Sequence, residues 1–141
     1  MFWPGSEAEI AGQRPRYWKP FDGNLSPQAR VDQVLAWLDL PPAQRPQLIT
    51  LYMEAFDVAA HAAGTYSPQA KQALADIDAA LARLRDGLQA RDLTRSVDLI
   101  VLSDHGMTDV PGENVRYLDD LVPKDAIAAE YGGQLTGPAA H

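Results

Sequence analysis

Val97-Asp98-Leu99-Ile100-Val101-Leu102-Ser103 is a seven-residue run with five apolar positions. A run this short and this continuously apolar is the pattern of a β-strand buried on both faces. Upstream, behind Pro46, Gln47-Leu48-Ile49-Thr50-Leu51-Tyr52-Met53 has the same length and character. Between the two, Ser67-Pro68 supplies an N-cap followed by proline at the first helical position, and Leu74, Ile77, Leu81, Leu84 and Leu88 recur at spacings of 3, 4, 3 and 4. This predicts a helix from about 68 to 90. Strand, helix and strand in that order make one βαβ unit with parallel pairing, so the expected fold class is α/β.

The same capping device, Ser26-Pro27, opens a second predicted helix from about 27 to 39, with Val31, Val34, Leu35 and Leu38 on one stripe and Pro41-Pro42 as its stop. The two Ser-Pro-Gln-Ala segments share nothing beyond the helix start, so they are capping chemistry and no internal repeat. Glu54 to Tyr66, small and polar and containing Gly64, is expected to be mostly loop. Residues 1–25 hold Phe2, Trp3, Tyr17, Trp18 and Phe21 among prolines and glycines without any period, an aromatic loop region. Residues 26–110 form the expected core and 111–141 an irregular region, in which Tyr117–Val122 is read as a short helix or strand and the glycines at 132, 133 and 137 as turns.

Composition limits what such a chain does. At 141 residues and 46% hydrophobic it has the material for a real core. Its net charge of −7 opposes binding to a polyanion, so no nucleic acid polymer is expected as partner. No apolar run approaches a membrane span, and Met1-Phe2-Trp3-Pro4-Gly5 lacks the basic and apolar regions of a signal peptide. The absence of cysteine removes disulfides, thiolate metal sites and cysteine nucleophiles.

In open parallel α/β sheets, ligands bind beyond the carboxyl ends of the strands. Two segments meet that condition, Glu54-Ala55-Phe56-Asp57-Val58-Ala59-Ala60-His61 and Ser103-Asp104-His105-Gly106-Met107, and two of the three histidines stand there, each with an aspartate. Carboxylate and neutral imidazole are donors that Zn²⁺ and similar divalent ions accept. Asp57 and His61, four apart, face one way if their turn is helical. Asp104 and His105 share an ion if the backbone bends sharply at Gly106, and otherwise point to one ion each. The bland alternative is that the histidines are hydrogen-bonded structural residues and the aspartates turn formers. Glu54 reads as a supporting or solvated group.

At these residues the chain resembles the nucleotide pyrophosphatase/phosphodiesterase family of the alkaline phosphatase superfamily. Phe2-Trp3-Pro4-Gly5-Ser6-Glu7 looks like that family's Phe-Trp-Pro-Gly-Ser-Asp/Glu segment. Tyr52, Glu54, Asp57, His61 and Gly64 follow its Tyr-x-Glu-x-x-Asp-x-x-x-His-x-x-Gly motif, and Ser103 to Met107 matches its Ser-Asp-His-Gly-Met motif throughout. The resemblance implies the parallel-sheet βαβ core of an alkaline-phosphatase-like fold, present only in part, and two Zn²⁺ ions in the intact enzyme, or other divalent metals. Asp57 and His61 would bind one ion, and Asp104 and His105 the other. Tyr52 would line the nucleotide-base pocket, with Phe21 where the family has tyrosine and Trp3 in the same neighbourhood. Phe56 stands where the family commonly has proline, and Val58-Ala59-Ala60 replaces a Ser-Ser-Gly-like stretch; no proposed ligand is altered.

The resemblance also implies a threonine or serine nucleophile and a further aspartate before the matched segment, and a further histidine after it. No catalytic residue is therefore assigned within 1–141, and His141 is read as an end residue. Two strands with unpaired edges point the same way. The expectation is an internal fragment, inactive alone, of a hydrolase acting on small nucleotide-like phosphodiesters. Its partner is the remainder of the catalytic domain, or a second copy through the sheet edges if it is made alone. Exported bacterial members suggest a periplasmic or secreted setting. The alternatives are another superfamily activity, phosphomonoesterase or phosphonate hydrolase, and a noncatalytic α/β interaction module.

Overall fold

The structure, a computed structural model, describes residues 5, 8–117 and 120–122. These residues fall into two compact units, one ending at Thr108 and one beginning at Asp109. In the first, helix α1 spans Pro27–Leu38, α2 Ala55–Ala63 and α3 Pro68–Gln89, with a single 3₁₀ turn at Pro42–Gln44. The second holds a 3₁₀ turn at Gly112–Asn114. Residues 118 and 119, inside the Tyr117–Val122 reading, and 123–141, which hold the three turn glycines and His141, lie outside the described residues.

The two Ser-Pro caps form as the sequence predicts. Ser26 Oγ accepts the Ala29 amide at 3.2 Å and Ser67 Oγ the Ala70 amide at 3.1 Å, each satisfying a donor that a helix start leaves open. α3 is the hub on which both α1 and α2 pack. Val31, Val34, Leu35 and Leu38 of α1 meet Ala80, Leu84 and Leu88 of α3, with Leu93 beyond its end. Gly87 permits that closeness, because a Cβ there would stand 2.5 Å from a Leu35 methyl.

Ion pairs border this seam. Arg83 Nε donates to Asp32 at 2.6 Å, and Arg91 grips both oxygens of Asp39 at 2.7 Å. The hydrogen bond from Arg91, helped by the charges of Arg91 and Arg45, holds the Asp39 carboxyl below its ordinary range against the opposing effect of desolvation. A carboxylate with a lowered folded-state pKa adds stability above its unfolded value and loses it as the pH falls through the folded one. Acidification below about pH 4 should therefore weaken the α1–α3 pairing, and Asp39→Asn should flatten that acid limb. Urea midpoints of both proteins at pH 7 and pH 3 measure the difference.

The expected parallel sheet is not seen among the described residues. Among the described residues no stretch is a β-strand, and β-type pairing is limited to isolated bridges such as Ile10 with Gln13. The 47–53 run instead lays Ile49, Leu51 and Met53 on the helical core, with Thr50 and Tyr52 half-buried on its other side and Leu48 exposed. In the 97–103 run only Val97 packs on the core, and Ile100 and Leu102 are 80% and 76% exposed. A strand takes its hydrogen bonds from neighbouring strands, so an apolar run without a paired neighbour has the pattern and not the structure.

A second correction concerns Glu54 to Tyr66, where helix replaces the expected loop. Five alanines in α2 supply the highest helix propensity and a slim face to lie against α3. Gly64, at φ +96°, ends the helix in a conformation that a side chain resists. No described helix is long and apolar enough to cross a membrane.

Candidate metal and nucleotide site

α2 carries the first Asp-His pair. Asp57 lies in its first turn and His61 in its last, where the helix dipole favours an anion and a cation respectively. The helical turn brings His61 Nε2 to 3.6 Å from Asp57 Oδ1, so the spacing of four does orient both side chains one way. The second pair comes from the segment after the 97–103 run. His105 Nε2 stands 3.8 Å from Asp57 Oδ1 and 3.7 Å from Asp104 Oδ2. Two pairs more than forty residues apart in sequence thus meet around one carboxylate oxygen.

Gly106 does not make the bend that the sequence suggested. Its φ is outside the left-handed region and a Cβ there would meet nothing. The turn is closed by the Ser103 hydroxyl, which donates to the His105 carbonyl, and by the His105 amide on Asp104 Oδ1 at 3.2 Å.

The donor set fits a divalent cation by its chemistry. Asp57 Oδ1 is inaccessible to solvent and has no hydrogen-bond partner, an unusual state for a carboxylate oxygen. His105 Nδ1 lies 3.0 Å from the Gly106 carbonyl, which can only accept, so Nδ1 carries a proton and Nε2, on the side of Asp57 and Asp104, is the ring atom that could serve as a donor to a cation once its own proton is lost. That hydrogen bond, then the charges of Asp104 and Asp57, raise the His105 pKa, with burial opposing. Donor atoms of a tetrahedral zinc with bonds of about 2.1 Å would stand roughly 3.4 Å apart, close to the 3.6 Å within the Asp57–His61 pair and the 3.7 Å within the Asp104–His105 pair. Among the described residues, however, no three such side chains converge into a ready-made metal cage.

Beside this cluster lie two of the predicted aromatic residues. The Phe21 and Tyr52 rings are 6.5 Å apart, centroid to centroid, at 53°. Burial first, then the Asp104, Asp57 and Glu54 carboxylates, push the Tyr52 phenol above its usual pKa, so it stays neutral, a good face for stacking. Trp3 lies outside the described residues. A separate cleft of about 670 Å³ between α1 and α3, bordered by Asp32, Arg83 and Arg91, contains none of these groups.

Arg30 was missed from sequence. It lies on the apolar stripe of α1, four before Val34 and eight before Leu38, and a charge in that row was the available signal. The side chain is 2% exposed and meets Glu54 through both of its oxygens, at 2.5 and 2.6 Å. Glu54 is thus neither solvated nor capping α2 through its side chain.

The profile of type I phosphodiesterase / nucleotide pyrophosphatase matches residues 1–140. The chain belongs to this family. Among relatives, a venom phosphodiesterase of Macrovipera lebetinus is 42% identical over 123 residues, 87% of this chain and 14% of the relative. Ectonucleotide pyrophosphatase/phosphodiesterase family member 3 of Mus musculus is 37% identical over 123 residues, again 87% of this chain and 14% of the relative. An uncharacterized pyrophosphatase/phosphodiesterase of Schizosaccharomyces pombe is 36% identical over 135 residues, 96% of this chain and 28% of the relative. The chain thus spans between about a seventh and somewhat over a quarter of these family members. Membership implies the alkaline-phosphatase-like fold, of which the described residues supply helices and no sheet.

Proposed function

We propose that this chain is part of the catalytic domain of a zinc-dependent hydrolase that cleaves phosphodiester or pyrophosphate bonds of nucleotides. Asp57 and His61 hold one ion, Asp104 and His105 the other, and Tyr52 and Phe21 receive the base. The single observation that carries this reading is the buried, unpartnered Asp57 Oδ1, approached by imidazoles from two distant segments. Bound divalent ions would supply Lewis acidity to the phosphoryl oxygens and lower the pKa of a nucleophile. The chain's own residues do the rest: the carboxylates draw cations to a chain of net charge −7, and the aromatic pair orients a nucleoside.

Family membership supports hydrolysis of a phosphodiester or pyrophosphate over the alternatives. The aromatic pair beside the carboxylates favours a nucleotide over a simple monoester. Full-length protein should hydrolyse the p-nitrophenyl ester of thymidine 5′-monophosphate faster than p-nitrophenyl phosphate, and a preference for the monoester would refute the reading. Residues 1–141 alone are expected to turn over neither, because the resemblance that supplies four metal ligands places no nucleophile among them. They should also bind zinc weakly, with two protein ligands for each ion. Calorimetry showing tight two-site binding would contradict that and favour a self-sufficient metal-binding module.

A further inference from the structure

Arg30 donates from both terminal nitrogens, and each is used twice. Nη1 reaches the Tyr52 carbonyl at 2.8 Å and Glu54 Oε2, and Nη2 reaches the Asp22 carbonyl at 2.9 Å and Glu54 Oε1. The guanidinium carbon also lies 5.4 Å from the centre of the Phe21 ring. One planar group therefore holds the backbone of Tyr52, the backbone next to Phe21 and the ring of Phe21 itself. These segments are 22 and 8 residues from Arg30 in sequence. Through Glu54, it also grips the residue at which α2 starts, three before Asp57.

A buried ion pair is a poor device for stability alone, because apolar residues of similar size often do as well. A planar fork with fixed donor directions is a good device for geometry, and lysine cannot reproduce it.

We propose that Arg30 is a positioning residue that sets the spacing of the Phe21 and Tyr52 rings, and through it the affinity for the nucleoside part of the substrate, without contributing to phosphate binding. The proposal rests on the nucleotide reading above. It assigns to α1, an element with no predicted ligand, control over substrate selectivity.

The test is calorimetric titration of zinc-loaded, full-length protein with adenosine 5′-monophosphate and with inorganic phosphate, read as the ratio of the two affinities. Tyr52→Ala should lower that ratio. If it does not, the base platform itself is wrong, and the Arg30 proposal falls with it. Arg30→Lys, which keeps the charge and loses the fork, should lower the ratio about tenfold, in the range seen when supporting hydrogen bonds to a site are removed, with phosphate affinity unchanged. A ratio that stays at the wild-type value in Arg30→Lys while Tyr52→Ala lowers it would overturn the proposal and leave the nucleotide reading intact. The double variant Arg30→Met/Glu54→Met separates folding from positioning. It should melt near the wild-type temperature with its ratio still depressed, whereas recovery of both would show the pair to be structural only and would also overturn the proposal.

Discussion

Turnover of a nitrophenyl phosphodiester by the full-length protein is expected to fall about a thousandfold in His61→Ala and in Asp104→Ala. A metal ion acting on a phosphoryl oxygen contributes several kcal/mol of transition-state stabilisation, and each factor of ten is worth about 1.4 kcal/mol. Each substitution removes one of the two side chains proposed to hold an ion, yet both side chains are more than half exposed, so the fold should stand without them. Asp57→Ala should behave differently in one respect. Its buried oxygen, without a hydrogen bond, costs the metal-free protein free energy, so removing it should leave the metal-free melting temperature unchanged or raise it. Zinc should raise the wild-type melting temperature, since a ligand that binds only the folded state stabilises it, and should not raise that of Asp57→Ala. Unaltered turnover in both His61→Ala and Asp104→Ala would refute the metal site.

Glu54→Ala should destabilise the protein by about 3–5 kcal/mol, the usual cost of leaving a buried charge without its partner. Arg30 is 2% exposed and its Nε already lacks a partner, so the guanidinium has no solvent to turn to. Reversing which charge remains should matter. Arg30→Ala leaves Glu54, whose side chain is 15% exposed and sits at the start of α2, where water can reach it more readily. Its loss of stability should be the smaller of the two. Urea unfolding of both variants at neutral pH gives the comparison, and equal losses would show that burial of the arginine is not what makes the pair costly to break.

The candidate site residues stood out in the sequence for a simple reason. Asp57, His61, Asp104 and His105 are the polar donors at the ends of the two apolar runs, and metal chemistry restricts which residue types can stand there. The caps at Ser26 and Ser67 were equally legible, because capping is decided within three residues. α2 was not, because its alanines carry no clear hydrophobic period and its short length mimics a loop. Arg30 was visible only as an anomaly, a charge in an apolar row, until its partners at 22, 52 and 54 were brought to it.

Local chemistry along the chain determined where α1 and α3 start, where they stop, and which side chains could act as ligands. Those interactions span one or two helical turns, so they can be read from neighbours in sequence. Tertiary structure alone decided that Asp57 stands between two imidazoles, that Glu54 is held by a buried arginine, and that most of the 97–103 run stays exposed with no strand beside it among the described residues. Each of those depends on groups tens of residues apart, and a sheet in particular exists only between chains that pair.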